Sequence, residues 1–168
     1  MTTFHLTKGD LTRTVSVDAI VTLINSGKAW FGGIDGAIQR VAGGMYHAQA
    51  AEMRLRNKQV VIAKGDRSMH RGNFDDVIFV VDDLQSPLNE LVSAALKAAQ
   101  NAGYQSIAFP MMRTGVMMGA VEPNVRAVVA QMRQAFEAFS VDMDVYVVVY
   151  DDPEAVKLLA QNMNLLES

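Results

Sequence analysis

Six short apolar runs constrain the fold of this chain more than any other feature of its sequence. They read TFHLTKG, AIVTLI, QVVIAKG, DVIFVVDD, QSIAFP and VDMDVYVVVYDD. Their β-branched and aromatic residues favour strands. Several of them are apolar on both faces, and such strands belong in a sheet that helices cover on both sides.

Helical segments alternate with these runs, which predicts how the layers are arranged. Helices are expected over residues 34–42, 46–56, 86–103, 122–139 and 152–166. Their start signals are a capping residue followed by proline at Ser86, Glu122 and Asp152, and Gly103 is the stop signal of the third helix. We therefore predict a single domain, residues 1–168, with the fold class α/β: a three-layer α/β/α sandwich around a central mixed sheet.

Composition excludes several classes of site. The chain has no cysteine, so it has no disulfide, thiolate metal site or cysteine nucleophile. Its three histidines, His5, His47 and His70, lie far apart in the sequence without a metal-ligand spacing, and we expect surface or capping roles for them. The sequence predicts no metal site and no cofactor.

Charge and hydropathy limit the partners. The net charge is −3, so a basic face for duplex nucleic acid is not expected, although backbone amides could hold a small anion. The chain has no run of about 18 apolar residues, and its first ten residues do not have the pattern of a signal peptide. We expect a soluble, cytoplasmic protein that contacts no membrane.

Ligands of open α/β sheets bind beyond the carboxyl ends of the strands, which selects three loops for inspection. The first begins after AIVTLI and carries Gly27, Gly32, Gly33 and Gly36 before a helix. Glycines and a helix amino terminus favour a phosphate or carboxylate, but the same pattern is typical of a tight strand-to-helix turn. Asp35 is either a helix-dipole residue or, with Asn25 at the other end of the loop, a group that orients a ribose hydroxyl and a water.

The other loops carry polar groups as well. Arg113, Thr114, Gly115 and Val116 follow the fifth strand and offer a hydroxyl and exposed amides, or simply form a solvated loop. Asp10 and Tyr150 each have a structural interpretation, as a turn acid and an edge tyrosine. Together they could supply a carboxylate for an exocyclic amine and a ring that stacks on a base.

With these residues assembled, the sequence resembles the macro domain family of ADP-ribose-binding α/β modules. The matching segments occur in the family's order over nearly the whole chain. KGDLTR is similar to GDIT, DAIVTLINS to DAIVNAANS, GGIDGAIQRVAG to GGGGVDGAIHRAAG, and SIAFPMMRTGV to SIAFPAISTGVYG, while VVVYD is similar to the closing strand.

The resemblance implies a role for each matching residue. It implies that Asp10 accepts from the adenine amino group, that Leu11 lies beside it with its amide, and that Tyr150 stacks on the base. Gly32, Gly33 and Ile34 would meet the diphosphate, and Thr114, Gly115 and Val116 would close the opposite wall. Asn25 and Asp35 match the pair that, in hydrolytic members, holds the distal ribose and activates or positions water.

Departures from the family pattern concentrate at the distal-ribose end. Thr22 stands at an asparagine position, Trp30 and Phe31 replace two loop glycines, and Met117 replaces an aromatic. The segment VVDDL stands where many members have HTVGP. Two hypotheses follow, each with ADP-ribose or a derivative as the ligand: a hydrolase of O-acetyl-ADP-ribose or of a mono-ADP-ribosylated protein, or a reader of ADP-ribose or an adenine nucleotide without turnover. An RNA-end or oligoadenylate binder is disfavoured by the acidic balance.

Overall fold

A computed structural model describes residues 3–27, 33–112, 125–139, 142–150, 152–162 and 166–167. These residues form seven strands and five α-helices. The strands are β1 Thr3–Lys8, β2 Val17–Ile24, β3 Val60–Ala63, β4 Phe74–Val81, β5 Ser106–Phe109, β6 Asp144–Val149 and β7 Leu166–Glu167. The helices are α1 Gly33–Ala42, α2 Met45–Ala51, α3 Leu88–Ala102, α4 Val125–Glu137 and α5 Pro153–Asn162, and a 3₁₀ turn covers Arg67–Met69.

All seven strands form one mixed sheet in the order β3-β4-β2-β5-β6-β1-β7. Only β3 is antiparallel to its neighbour, β4, and the other pairs of neighbouring strands are parallel. The mixed α/β fold predicted from the sequence is therefore confirmed. β7 and the 3₁₀ turn are additions that the sequence pattern did not indicate, since both span only two or three residues.

The two faces of the sheet pack against different helices. Along β2, Ala19 and Val21 belong to a core that includes residues of α3, α4 and α5. Ile20 and Ile24, which alternate with them, belong to a second core that includes residues of α1 and α2. Because successive side chains of a strand point to opposite faces, a strand buried on both faces is apolar at nearly every position. This alternation explains the continuous apolar runs in the sequence and confirms the three layers.

The helix ends follow local chemistry in part: α2 ends at Ala51 and not at residue 56, and Leu166, predicted as helical, is in β7. Gly103 ends α3 in the left-handed conformation, at φ 80°, and the Asp152 carboxylate accepts from the Ala155 N–H at the start of α5, as predicted. Ser86 is not the cap of α3: Pro87 occupies that position without a side-chain cap, and the Ser86 hydroxyl accepts from Asn57 Nδ2 at 2.8 Å. Across the described ranges, no helix has the length and hydropathy needed to cross a membrane.

A hydrogen-bonded histidine connects α2 to the amino-terminal half of β4. His70 Nδ1 accepts from the Gly72 N–H at 3.0 Å, so its Nε2 carries the hydrogen and donates to the Tyr46 hydroxyl at 2.9 Å. Tyr46 in turn donates to the Asp75 carbonyl. Burial lowers the pKa of His70, and it also raises the pKa of Tyr46 above its usual range. Both groups are therefore held neutral.

Candidate functional site

The carboxyl ends of β1, β2, β4, β5 and β6 lie at one edge of the sheet, because these strands are parallel. From β2 the chain reaches β4 on one side, and from β5 it continues to β6 on the other. This reversal between β2 and β5 is the type of switch point at which open α/β sheets bind ligands. The predictions for Trp30, Phe31, Gly32, Arg113, Thr114, Gly115, Val116 and Met117 fall outside the described residues.

Asp10 lies in a tight turn directly after β1. Its Oδ1 accepts both the Thr12 N–H, at 2.8 Å, and the Thr12 hydroxyl, at 2.7 Å, while its own N–H donates to Thr14 Oγ1 at 2.7 Å. No group in the described part of the chain donates to Oδ2 of Asp10. The turn thus fixes the carboxylate by one oxygen and leaves the second as an acceptor at the sheet edge.

Gly9 permits this turn. Its φ is +146°, and a Cβ there would lie 2.2 Å from Thr14 Oγ1, so a side chain would be excluded both by the backbone and by the neighbouring hydroxyl. The Gly9 N–H donates to the Val149 carbonyl at 2.9 Å, which continues the β1 and β6 pairing by one residue. Glycine is therefore needed at the point where the β1 chain turns from the sheet toward Asp10.

Tyr150 follows β6 beside the same turn. Lys8 and Val149 are register partners, so the next residues, Gly9 and Tyr150, are neighbours at the ends of the two strands. Tyr150 is 77% exposed, an unusual exposure for a large aromatic that follows a buried strand, whereas Leu11 is buried in the core on the α1 side. The structure therefore has an acid and an exposed ring at adjacent strand ends, and their joint role in holding a base stays a prediction.

Asn25 and Ser26 follow β2 and are attached to the loop after β4. The Ser26 N–H donates to Asp83 Oδ1 at 2.8 Å, and the Asp83 N–H donates to Asn57 Oδ1 at 3.0 Å. Asp83 belongs to the segment VVDDL, which the sequence comparison marked only as a departure. The sequence analysis missed that Asp83 anchors the loop that carries Asn25, because its two partners, Ser26 and Asn57, are far away in the sequence.

Asp35 lies in the first turn of α1, and its surroundings differ from those of a surface cap. It is 4% exposed, and its Oδ1 is 2.9 Å from Nε2 of His47, which is also 4% exposed. The His47 ring packs edge-on against Phe79 of β4, with ring centroids 5.1 Å apart. The prediction that His47 is a surface or capping histidine is wrong, because the ring lies on the buried face of α2.

The remaining predicted residues lie near these groups. Thr22 is inside β2, 3% exposed and in register with Phe79, so it is a buried strand residue two positions before the strand ends. Gly33 is the first residue of α1, and Ile34 after it is half-buried against the core on that side. α1 therefore begins one residue before the predicted start at Ile34, at a glycine that the sequence placed in the site.

A cavity of about 380 Å³ opens at the ends of β1 and β6 on their α5 side. Its lining includes two lysines, Lys8 and Lys157, and the helix-capping Asp152. Of the predicted site residues that the structure describes, none lines it. The cavity nevertheless adjoins the Asp10 turn, because Gly9 and Val149 are part of its lining. Among the described residues, moreover, no cluster of acidic and histidine side chains could hold a metal ion.

The fold and these strand-end groups together define an α/β module with polar and aromatic groups at the carboxyl edge of its sheet. The model of the Macro domain family matches residues 21–128. An O-acetyl-ADP-ribose deacetylase of Escherichia fergusonii is 30% identical over 157 residues, which are 88% of this chain and 88% of that protein. The chain belongs to the macro domain family, as the sequence resemblance indicated.

Solved structures agree on the fold. A Trypanosoma brucei macrodomain in complex with ADP-ribose superposes with a TM-score of 0.74 at 24% identity, covering 94% of this chain and 68% of that one. An Oceanobacillus iheyensis macrodomain with ADP gives a TM-score of 0.71 at 23% identity, covering 93% and 87% of the two chains. At these identities the similarity establishes the architecture.

Proposed function

We propose that this chain binds ADP-ribose across the carboxyl-edge crevice and hydrolyses a substituent on the distal ribose. The observation that carries the proposal is the placement of three groups at that edge: the Asp10 carboxylate, the exposed Tyr150 ring beside it, and Asp35 at the amino terminus of α1. The first two suit an adenine, and the third suits a ribose that follows a diphosphate. The ADP-ribose complex of a similar fold and the deacetylase name of a relative support this assignment.

At the adenine end, Asp10 Oδ2 would accept from the exocyclic amine and the Tyr150 ring would stack on the base. Leu11 would add its amide there, whereas Thr22, at the asparagine position of the family pattern, would line the distal-ribose end from inside β2. The diphosphate would then meet the amides of Gly32, Gly33 and Ile34 at the start of α1, where the helix dipole favours negative charge. Residues 113–117, which are Arg113, Thr114, Gly115, Val116 and Met117, would close the opposite wall.

At the distal ribose, Asn25 and Asp35 would be the catalytic residues. In an ester such as O-acetyl-ADP-ribose, a water attacks the acetyl carbon, the bond from that carbon to the ribose oxygen breaks, and the ribose oxygen takes a proton. Asp35 would accept the proton of the attacking water, and the Asn25 carboxamide would orient the ribose hydroxyls. A mono-ADP-ribosylated side chain is the other substrate class with a bond at the same position.

A reader without turnover is the alternative, and the burial of Asp35 favours it. A carboxylate that is 4% exposed and bonded to His47 has one oxygen committed within the protein. If both carboxylate oxygens of Asp35 are hydrogen-bonded when the ligand is bound, the crevice binds ADP-ribose but has no general base that could activate a water. The partner would then be an ADP-ribosylated protein or a free nucleotide.

Calorimetry and turnover assays separate these possibilities. We expect ADP-ribose to bind at least about tenfold more tightly than AMP, since it adds contacts at the diphosphate and the distal ribose. We further expect release of acetate from O-acetyl-ADP-ribose, and loss of that release in Asp35→Asn with binding retained. Asp144→Asn, which changes an acid at the opposite edge beside His5, is the matched control and should keep full turnover.

Equal affinity for AMP and ADP-ribose would contradict use of the distal half of the crevice. Tight ADP-ribose binding without turnover on either the ester or a mono-ADP-ribosylated protein would support the reader. Full turnover by Asp35→Asn would remove Asp35 from the mechanism.

A further inference from the structure

We infer that His47 is a positioning residue for the distal-ribose end of the crevice, acting through Asp35. The inference rests on the proposed function and deepens it, because it assigns a further side chain to the site, from a helix that lies outside the glycine loop. His47 belongs to α2, twelve residues after Asp35, and none of the sequence motifs includes it.

The geometry fixes one oxygen of Asp35. A carboxylate only accepts, so the hydrogen between the two groups is on Nε2 of His47, which donates to Oδ1 across 2.9 Å. The side chains are 4% and 6% exposed, so water does not compete for this bond. Phe79, which is fully buried in β4, packs against the imidazole ring and limits its rotation. The orientation of the carboxylate is thus set by α2 and the sheet.

The second oxygen of Asp35 is available for another group. In the described part of the chain, no residue donates a hydrogen bond to Oδ2. A carboxylate in the first turn of a helix, held by one oxygen, presents its other oxygen in a defined direction. That arrangement suits a ribose hydroxyl or a water, both of which donate to an acceptor.

Stability alone does not explain the pair. Removing two polar groups from water costs free energy that their mutual attraction often only balances, and apolar replacements of buried pairs are often neutral or stabilising. An apolar side chain at position 47 would also fit the core of α2, whose other buried residues are Tyr46 and Ala50. What a leucine could not supply is the directed N–H that orients the carboxylate.

The test compares His47→Leu with His47→Gln. The glutamine carboxamide nitrogen reaches the position of Nε2 and can donate to Asp35, whereas leucine only fills the volume. His5→Leu is the matched control, since it removes a second histidine–aspartate pair, 3.3 Å from Nε2 to Oδ1 of Asp144 at the amino end of β6.

The readouts are calorimetric Kd values for ADP-ribose and ADP, which differ by the distal ribose, and kcat and KM for O-acetyl-ADP-ribose. We expect His47→Leu to lose about 10- to 100-fold in kcat, to lose most of the preference for ADP-ribose over ADP, and to keep the Kd for ADP. His47→Gln should retain both properties within about threefold of wild type. His5→Leu should leave both readouts unchanged.

Failure of the inference is distinguishable from failure of the proposed function. If the wild type does not prefer ADP-ribose over ADP, the proposed use of the distal crevice fails before any variant is made. If the wild type has the preference and folded His47→Leu keeps it together with kcat, the inference is overturned while the function stands. Should His47→Leu not fold, His47→Asn decides, because its shorter carboxamide cannot reach Asp35: equal values for Asn and Gln would overturn the inference.

Discussion

Replacing Asp10 with asparagine is expected to remove recognition of one amino group while leaving the turn intact. Thr12 donates twice to Oδ1, from its N–H and its hydroxyl. Both are donors, so in Asp10→Asn the carboxamide oxygen must take this position and the NH₂ group must replace Oδ2. The group that faces the adenine amine would change from an acceptor to a donor.

The magnitude follows from the bond that is lost. A hydrogen bond to a charged group contributes about 1.5–3 kcal/mol, which corresponds to roughly 10- to 150-fold in Kd. For the wild type, an ADP-ribose analogue with purine in place of adenine, which lacks only the 6-amino group, should bind weaker by about that factor. In Asp10→Asn the same change of ligand should alter Kd by less than about threefold, because the amine no longer has an acceptor.

Four calorimetric titrations, two proteins against two ligands, measure this coupling. Thermal unfolding of both proteins checks that the turn survives, and we expect a loss of less than about 1 kcal/mol, since neutral bonds to Thr12 replace charge-assisted ones. If removing the amine weakens binding equally in both proteins, Asp10 does not contact the amine, and the proposed adenine site is refuted.

Three further predictions concern stability and the two loops. Folding lowers the pKa of His70 from 6.5, so its contribution to the free energy of unfolding should be fully present above pH 6.5 and decrease as the pH falls below it. Urea titrations between pH 8 and 5 measure this as the difference in the free energy of unfolding between wild type and His70→Asn. A difference that stays constant over this range would contradict the prediction. Asp83→Ala should cost about 1–2 kcal/mol in thermal unfolding because the Ser26 N–H loses its acceptor, and Asp83→Asn should restore most of it; equal losses in both would contradict the role of that bond. Gly9→Ala should abolish ADP-ribose binding or unfold the turn, since its Cβ would overlap Thr14 Oγ1, and retained affinity in calorimetry would show that the turn adapts.

The hydrophobic periodicity of the sequence was sufficient to predict the fold, because a strand that is buried on both faces has a continuous apolar run in its sequence. Strands such as β4 are apolar at nearly every position, and Gly103 and Asp152 mark helix ends by local chemistry. Ser86 failed as a cap because Asn57, 29 residues away, donates to its hydroxyl. A local motif does not reveal such a distant competitor.

His47 was missed for a related reason. A lone histidine in a polar-looking helix start gives no periodic signal, and its partner Asp35 is in a different helix. The signal that was present is its place in α2, next to Tyr46 and three residues before Ala50, which is the spacing of one buried helix face. Asp10 and Tyr150, by contrast, could be paired in the prediction because each lies within two residues of a strand end, and the parallel register of β1 and β6 brings those strand ends together.

The way each carboxylate is bonded distinguishes groups that hold the fold from groups that are ready for a ligand. Asp75 uses both oxygens on Arg67, and Asp76 uses one on the Gly65 N–H and the other on Lys64 and Tyr104. Both oxygens of each carboxylate are thus bonded within the protein, and both residues are at the amino end of β4.

Within the described ranges, Asp10 and Asp35 are bonded through Oδ1 only, and they lie at the carboxyl edge. One available oxygen is not sufficient for a site, because Asp18 also accepts through a single oxygen, from Gln105 and Ser106, yet lies at the amino edge of the sheet. The combination of an anchored oxygen, an available oxygen and a position at the switch-point edge is what singles out Asp10 and Asp35. In the proposed site their anchors, Thr12 and His47, would matter as well, because a carboxylate without an anchor at an open edge would turn toward water and lose the direction that recognition of an amine or a ribose requires.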